Sequence, residues 1–249
     1  MQQELRAALK GEMSIAVAFS GGLDSSVLAK MCSNLDISVT LLTVGFTGSH
    51  DMIFSEKIAA KLLLPHKKHN IQHVEFDEYL HKVKQRISCR NTSHVENCIA
   101  FLFMAHLAKE NGLNLVLTAN GIDELFCGYN QYRFVSKYGK SSIMELMDRK
   151  ILNELQLIDE IAIVASYYGV TIATPFLSAK FIEFAKAIPI DEKIKNEDDM
   201  LRKHIIRRLA LDISVPEEAA MKPKKALQYG SSIHKYFVKK NHHNQQGLL

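Results

Sequence analysis

The stretch Ser14-Ile-Ala-Val-Ala-Phe-Ser-Gly-Gly-Leu-Asp-Ser-Ser26 decides the fold of this chain. Its apolar residues 15–19 predict a short buried strand that runs into a Gly-Gly turn. A helix is expected to start near Asp24, because apolar residues then recur at helical spacing. Gly21 and Gly22 allow a sharp turn and a close approach of the backbone to a ligand. The stretch therefore predicts a strand, a ligand-binding turn and a helix in succession.

The polar residues of this turn indicate what the ligand is. Ser25 and Ser26 place hydroxyl donors beside the first free amides of the helix, where the helix dipole favours an anion. Asp24 would repel a bare phosphate, but it is consistent with a magnesium ion held between a carboxylate and phosphate oxygens. The alternative, a strand–helix turn with a Ser/Asp cap, explains the Ser-Gly-Gly alone but not its whole context. The turn thus predicts a phosphate site with magnesium.

The composition is that of an ordinary globular enzyme. The chain has 249 residues, of which 47% are hydrophobic and 23% charged, and its net charge of +4 does not by itself argue for nucleic acid. No pair of its four cysteines has C-x-x-C spacing, so the sequence predicts neither a zinc nor a redox motif. It has neither an apolar signal segment at its start nor a run of about 18 apolar residues. A cytoplasmic location is therefore expected.

The order of apolar segments predicts the fold class. Apolar strands alternate with helices over the first half, which indicates an α/β fold with a doubly wound, mostly parallel five-stranded sheet. The expected strands are residues 15–19, 37–44, 69–76, 115–119 and 170–173. We expect a single domain over residues 1–237, with an α/β nucleotide-binding core at 1–139 and a mainly helical part at 140–237, where residues 141–168 and 178–210 are mostly helix. Residues 238–249 are expected to form a disordered polar tail.

Three segments follow strands of the expected sheet and should meet at one edge. They are residues 20–26, 44–51 and 120–129, and ligands of such sheets sit beyond the carboxyl ends of the strands. Asp123 in the third segment would then lie opposite Asp24 and complete a carboxylate pair for magnesium. The alternative for Asp123 is a charged first turn of a helix.

These segments resemble a known group of enzymes. The segment Ser20-Gly-Gly-Leu-Asp-Ser-Ser26 resembles the pyrophosphatase loop of the ATP pyrophosphatase (PP-loop) superfamily, whose fold is that of the adenine nucleotide alpha hydrolases. The segment Leu117-Thr-Ala-Asn-Gly-Ile-Asp-Glu-Leu-Phe-Cys-Gly-Tyr129 resembles L-S-G-E-G-x-D-E-x-F-x-G-Y of the asparagine synthetase family and its β-lactam-forming relatives. Further segments, in the same order as in the family, resemble its adenine-side loop, R-x-P-F-L-D, K-x-x-L-R-x and R-x-K-x-x-F motifs; these are residues 43–51, 173–185, 200–206 and 222–227. The resemblance covers about residues 12–237.

The resemblance implies a function and a set of site residues. It implies an ATP-dependent, AMP-forming amide ligase of amino-acid biosynthesis, in which a carboxylate attacks the α-phosphorus of ATP and an amine then displaces AMP. The implied catalytic residues are Asp24, Asn120 and Lys224, with Lys224 matching the mobile-loop lysine that stabilises charge on pyrophosphate. The implied nucleotide-binding residues are Ala18, Ser20, Gly21, Gly22, Asp24, Ser25, Ser26, Val44, Thr118, Gly121 and Asp123. Asp24 and Asp123 are the implied ligands of Mg²⁺.

The chain departs from the family pattern in three respects. The synthetase-like region begins almost at once, without the glutaminase domain that normally precedes it, so we expect ammonia to come from solution, from a separate glutaminase partner, or not to be used at all. Asn120 stands where the family has a glutamate, and an amide cannot act as a general base. Thr174 and Ser178 replace the arginine and the aspartate of R-x-P-F-L-D. The nucleotide side of the site therefore matches the family better than the acceptor side.

These departures leave three hypotheses open. The first is an aspartate-like carboxylate as the acceptor, with ammonia or an amine as the nucleophile. The second is adenylation of a different carboxylate, or of an RNA base. The third is a nucleotide-binding subunit with little ligase activity, for which Asn120 is the reason. No membrane partner is expected, and the composition does not favour nucleic acid.

Overall fold

The computed structural model describes residues 1–89 and 91–246, and its centre is a five-stranded parallel sheet. The strand order is β3-β2-β1-β4-β5, and every neighbouring pair is parallel. The strands are β1 (Ser14–Ala18), β2 (Ser38–Gly45), β3 (His66–Asn70), β4 (Leu115–Leu117) and β5 (Thr171–Ala173). The predicted doubly wound α/β fold is therefore confirmed. The direction of winding reverses between β1 and β4, where a ligand crevice is expected.

Helices cover both faces of this sheet. They are α1 (Gln2–Leu9), α2 (Leu23–Ser33), α3 (His50–Leu62), α4 (His73–Arg86), α5 (Thr92–Glu110), α6 (Ile122–Leu125), α7 (Asn130–Ser136), α8 (Lys140–Ala165), α9 (Ala179–Ala187), α10 (His204–Asp212), α11 (Glu217–Ala220), α12 (Leu227–Gly230) and α13 (Ile233–Gln246). Short 3₁₀ turns lie at Ser166–Tyr168, Pro175–Leu177 and Ile190–Glu192. No helix within the described residues is long and apolar enough to cross a membrane.

The alternation of side chains along the central strands divides the core in two. Ile15 and Val17 of β1 pack into one cluster with residues of α1, α2 and α8, whereas Ala16 points to the other cluster, which contains most of α5. Thirteen of the nineteen residues of α5 are buried, because this helix lies between the sheet, α4 and α8. The central strands are thus covered on both faces, as their continuous apolar composition indicates.

The third strand lies earlier in the chain than the sequence predicts. Residues 69–76 were expected as a strand, but β3 is His66–Asn70 and pairs with the end of β2. The following residues form α4, which begins after Gln72, whose backbone amide donates to the Glu75 side chain at 3.0 Å. Apolar residues at helical spacing then face the core, and these are Phe76, Tyr79, Leu80 and Val83. The expected strand failed because its apolar residues belong to this helical face.

Two segments of the C-terminal part differ from the prediction. Residues 178–210 contain less helix than expected, and the end of the chain contains more. Helix α8 follows the expected span closely, but 178–210 contains only α9 and α10, separated by largely irregular residues 188–203. Asp199 stabilises that irregular segment, because its carboxylate accepts from the backbone amides of Lys195, Leu201 and Arg202. The prediction of a disordered tail from residue 238 is wrong as far as Gln246, because α13 continues to that residue. Residues 247–249 of the predicted tail lie outside the described residues.

Candidate functional site

The carboxyl ends of β1, β2 and β4 open into a cleft of about 300 Å³. Residues from all three predicted ligand segments line it, together with polar residues of α5 and α8 and with residues 222–228. Of the predicted site residues, the cleft is lined by Ala18, Ser20, Gly22, Asp24, Ser25, Val44, Thr118, Asn120, Asp123 and Lys224. The structure thus brings the nucleotide-side and acceptor-side candidates to one place.

The turn after β1 is arranged to present donors at the start of α2. Gly22 is the residue before the helix, and its backbone amide donates to Ser20 Oγ at 3.3 Å. Ser25 Oγ lies 3.3 Å from Ser20 Oγ and donates to the Gly22 carbonyl at 3.3 Å. Gly21 has a φ of +73°, and a Cβ there would lie 3.0 Å from the Cα of Ser55. This close packing on α3 holds the turn against the cleft, so Gly21 acts on the site through its backbone.

Two carboxylates and two lysines meet at the centre of the cleft. Lys203 Nζ lies 2.6 Å from Asp24 Oδ2 and 2.5 Å from Asp123 Oδ1. Lys224 Nζ donates to Asp123 Oδ2. Lys203 is 3% exposed, so its charge is compensated within the protein rather than by water. The predicted carboxylate pair therefore exists, with an ammonium group between its members.

The lysines control the ionisation of the two carboxylates. Burial and the neighbouring charge of Asp123 raise the pKa of Asp24, although Lys203 opposes them. Burial also acts to raise the pKa of Asp123, but Lys203 and Lys224 outweigh it and hold that pKa below its usual range. Burial acts to lower the pKa of Lys224, and Asp123 more than reverses that effect. Asp123 is therefore the more firmly ionised carboxylate of the pair.

An unpaired carboxylate oxygen at the same place fits a divalent cation. Asp24 Oδ1 is buried without a hydrogen-bond or ion-pair partner among the described residues, whereas Asp123 Oδ1 has the Lys203 ammonium at 2.5 Å. Buried acceptors are normally satisfied, so Asp24 Oδ1 is the oxygen of the pair that is available to a cationic ligand. Magnesium prefers such oxygens and is usually held by one or two carboxylates together with substrate phosphates. Asp24 and Asp123 fit that ion.

A further carboxylate lies at the acceptor end of the cleft. Asn120 Oδ1 accepts a hydrogen bond from the Thr118 hydroxyl, and Asn120 Nδ2 donates to Glu154 Oε1 of α8 at 2.5 Å. Glu154 is 6% exposed, and burial raises the pKa of its carboxyl group. The amide that replaces the family's glutamate therefore contacts a carboxylate supplied by another helix.

Glu124 and Tyr129 form the wall next to that carboxylate. Glu124 Oε2 accepts from the Gly121 amide at 3.1 Å, and Glu124 Oε1 accepts from the Tyr129 hydroxyl. Burial, followed by the charges of Glu154 and Asp123, raises the pKa of Glu124 to about 8. Lys150 and Lys224 stand 4.8 and 5.3 Å from the centre of the Tyr129 ring. Two cationic groups thus lie against the Tyr129 ring.

Some predicted residues do not line the cleft. Ser26 is fully buried behind the turn, and Gly121 has a φ of +100° and packs so closely that a Cβ would lie 2.7 Å from the Phe176 carbonyl. Ser178 accepts from the Phe181 amide at 3.1 Å and so begins α9. Thr174 precedes the 3₁₀ turn at Pro175–Leu177, and like Ser178 it is not among the cleft residues. The two departures from R-x-P-F-L-D thus belong to local turn structure.

Lys203 and Glu154 are among the cleft residues that the sequence does not identify as site residues. Lys203 lies inside the segment 200–206 that resembles a family motif, so its lysine was available as a signal. Glu154 lies in the long amphipathic α8, where one buried carboxylate has no local signature. Only the fold brings it to Asn120.

The sequence is similar to those of known proteins over most of its length. The family model described as asparagine synthase matches residues 1–162 and 149–245. The chain belongs to the asparagine synthase family. Within this family, it is 30% identical over 264 residues to a putative glutamine-hydrolysing asparagine synthetase of Methanocaldococcus jannaschii, covering 93% of this chain and 48% of that protein.

A bacterial relative shows a similar partial match. Asparagine synthetase B of Escherichia coli, also named as glutamine-hydrolysing, is 24% identical over an alignment of 246 residues that covers 92% of this chain and 44% of the relative. Among solved structures, an NH₃-dependent NAD synthetase of Campylobacter jejuni aligns over 100% of this chain and 84% of its own, at 16% identity and a TM-score of 0.46. This member of the asparagine synthase family spans about half the length of the curated relatives it matches.

Proposed function

We propose that this chain is an AMP-forming amide ligase. In its first step, an oxygen of an aspartate-like carboxylate attacks the α-phosphorus of ATP, the bond between the α-phosphorus and its bridging oxygen breaks, and pyrophosphate leaves. In the second step, ammonia or an amine attacks the activated carbonyl carbon, and AMP leaves with the carboxylate oxygen. The observation that carries this proposal is the meeting of Asp24, Asp123, Lys203 and Lys224 beside the donor-rich start of α2.

The turn after β1 supports the leaving-group half of the reaction. Backbone amides at the start of α2 and the hydroxyls of Ser20 and Ser25 are in position to donate to phosphate oxygens. Asp24 and Asp123 would hold Mg²⁺, which supplies neutralisation of the charge that develops on pyrophosphate. Asp24 Oδ1, which has no hydrogen-bond partner among the described residues, would be the first oxygen available to the ion.

Lys203 and Lys224 would also neutralise the charge that develops on pyrophosphate. Lys203 is fixed by two carboxylates from different segments, so its ammonium group needs little reorganisation when the triphosphate arrives. Lys224 comes from the irregular segment between α11 and α12, and it reaches Asp123 from the other side. A preorganised cation at a developing negative charge lowers the barrier more than one that must be recruited from solvent.

Adenosine would lie across the ends of β2, β1 and β4. Ala18, Val44 and Thr118 line the cleft there, at the ends of three adjacent strands. The apolar side chains of Ala18 and Val44 suit a purine ring.

Glu154 would serve the acceptor half. Because Asn120 donates to it, the Glu154 carboxylate has a fixed direction. Burial separately raises the pKa of this carboxyl group. A carboxylate tuned in this way can accept a proton from an attacking amine, which the amide of Asn120 cannot do. We assign the general-base role to Glu154 and the orienting role to Asn120.

The test is a product assay with a matched control. The chain is incubated with ATP, Mg²⁺, L-aspartate and ammonium, and pyrophosphate and AMP are measured. Asp24→Ala should abolish pyrophosphate release, whereas Asp36→Ala, at an exposed aspartate just after α2, should not change it. Retained release in Asp24→Ala would contradict the proposed role of the carboxylate pair.

The contact between Asn120 and Glu154 supports a second candidate for the carboxylate substrate. Asn120 and Glu154 form an acceptor end that differs from the family pattern, and this favours a different carboxylate as the second candidate. Pyrophosphate release with another carboxylate but not with aspartate would select it. Tight ATP binding without turnover across a panel of carboxylates would instead indicate a nucleotide-binding subunit.

A further inference from the structure

Three potential metal ligands come together where His94 forms part of the wall of the main cleft, away from the two central carboxylates. Cys89 precedes α5 by three residues, His94 lies in the first turn of α5, and Glu160 projects from α8. The sulfur of Cys89, a ring nitrogen of His94 and a carboxylate oxygen of Glu160 all lie within 4.8 Å of one another. The cysteine spacing does not predict this cluster, because two of its three members are not cysteines and one lies on a distant helix.

The hydrogen bonds of His94 leave one ring nitrogen directed at a carboxylate. His94 Nε2 lies 3.2 Å from the Asn153 amide oxygen, so with that amide orientation Nε2 carries the proton. His94 Nδ1 then faces Glu160 Oε2 at 2.8 Å. The imidazole is 2% exposed, so water does not screen this contact. The nitrogen and the carboxylate oxygen therefore face each other at a distance that two ligands of one metal ion can adopt.

We propose that Cys89, His94 and Glu160 bind a divalent transition metal of the zinc class. Thiolate, imidazole and carboxylate are the three ligand types that zinc takes in proteins, and three protein ligands with one open position are typical of its non-structural sites. Asn153 is the outer partner that fixes the ring orientation of His94, as ligating histidines commonly require.

The surroundings provide access for the ion. A second cavity reaches the cluster at His94 and is also lined by Asn91, Ser93 and Asn153. Through this side it would give the metal an entry path and room for water at the fourth coordination position. The Cys89 thiol would lose its proton to become a thiolate ligand, so metal binding would release a proton.

Metal binding would reach the active site through α8. The ion would fasten the segment before α5 to Glu160, and the same helix carries Asn153 and Glu154 toward the main cleft. The metal would therefore fix the position of the acceptor-side carboxylate without contacting the substrate. This proposal does not depend on the ligase activity.

The test uses zinc and cobalt salts with the chelator-treated full chain. Isothermal titration should give one zinc equivalent that persists when the cleft ligands are altered by Asp24→Ala. Cobalt should give the thiolate-to-metal absorption band in the near ultraviolet. Cys89→Ser should abolish that band and weaken zinc binding at least tenfold, and Asn153→Ala should weaken it by about 10–100-fold. Asp159→Asn, at the exposed neighbour of Glu160, should change neither.

Two results would overturn the proposal. One is the absence of stoichiometric zinc binding in the wild-type chain. The other is a cobalt band or a zinc affinity that Cys89→Ser leaves unchanged, because the metal would then sit elsewhere. Cys89 is only partly buried, so its serine variant should fold, and circular dichroism checks this. If Asn153→Ala does not fold, Cys89→Ser still decides.

Discussion

Lys203 Nζ lies between Asp24 Oδ2 and Asp123 Oδ1, at 2.6 and 2.5 Å, and so joins the turn after β1 to the turn after β4. In the absence of bound nucleotide, this ammonium group occupies the place between two carboxylates where a divalent cation would also be stable. Two carboxylates and two lysines therefore balance each other's charge within the protein. If the proposed function holds, Lys203 would also supply a cation for the triphosphate.

Removing the ammonium group of Lys203 should destabilise the folded protein. Lys203→Met leaves two buried carboxylates facing each other, and we expect it to lower the free energy of unfolding by about 3–5 kcal/mol, as for other broken buried ion pairs. Mg²⁺ should recover more stability in the variant than in the wild type, because the ion can replace the lost charge. Urea unfolding with and without Mg²⁺ measures both effects. An equal effect of Mg²⁺ on both proteins would contradict the proposed metal site.

Lys224 should matter for rate more than for folding. Lys224→Met removes one preorganised cation from the leaving group, and we expect pyrophosphate release to slow by about 10²–10³-fold. Lys61→Met, at an exposed lysine that pairs with Glu218, is the matched control and should keep the wild-type rate. Steady-state release of pyrophosphate at saturating ATP is the measurement. A wild-type rate in Lys224→Met would exclude the lysine from the chemical step.

The contact between Asn120 and Glu154 predicts a compensating pair of substitutions. Asn120→Glu places a second carboxylate against Glu154 Oε1 and removes the hydrogen bond to it, which should cost about 1.5–3 kcal/mol. Adding Glu154→Gln should restore most of that stability, because the donor and acceptor are then exchanged. Urea unfolding of the two single variants and the double variant forms the cycle. Additive effects would mean that the two side chains do not interact, and aspartate-dependent turnover measured on the same proteins would show whether the exchange also restores the family's chemistry.

His66 should make stability depend on pH. Its Nε2 lies 2.8 Å from Thr43 Oγ1, whose hydroxyl donates to the Phe19 carbonyl, so the hydroxyl oxygen accepts from a neutral ring. Burial, followed by the charge of Lys68, lowers the pKa of His66 from 6.5 to about 4. Between these two values the unfolded chain binds a proton that the folded chain does not, so the free energy of unfolding should fall as the pH drops through this window.

The variant His66→Gln isolates that effect. It should unfold with a shallower pH dependence across the same window, whereas His81→Gln, at an exposed histidine of α4, should retain the wild-type slope. Urea unfolding at several pH values measures the slopes. Identical slopes for the wild type and His66→Gln would assign the pH dependence to other groups.

Much of the fold could be predicted from the sequence because its strongest signals are local. The strand–turn–helix around Gly21 and Gly22 and the apolar β4 carry their periodicity and turn chemistry within a few residues. The third strand was misplaced because His66–Asn70 has no apolar alternation, and only its pairing with β2 makes it a strand. Residues 188–203 were mistaken for helix because Asp199 stabilises an irregular backbone through contacts that no periodicity reveals.

Some residues of the candidate site could likewise be placed from the sequence, and others could not. Asp24 and Asp123 could be paired from the sequence, because both follow parallel strands whose ends meet at one edge of the sheet. Lys203 could not be placed between them, since it approaches from residues 188–203, whose path depends on tertiary contacts. Glu154 and the cluster of Cys89, His94 and Glu160 likewise depend on how α8 packs against α5. Contacts between distant helices have no signature in a single sequence.

The most direct test of the central claim follows the oxygen atoms of the acceptor. The chain is incubated with ATP, Mg²⁺, ammonium and aspartate labelled with oxygen-18 in its side-chain carboxylate, and AMP is analysed by mass spectrometry. We predict one labelled oxygen in AMP, because the carboxylate oxygen becomes bonded to the α-phosphorus and leaves with it. Unlabelled AMP, or labelled inorganic phosphate formed together with ADP, would contradict attack at the α-phosphorus.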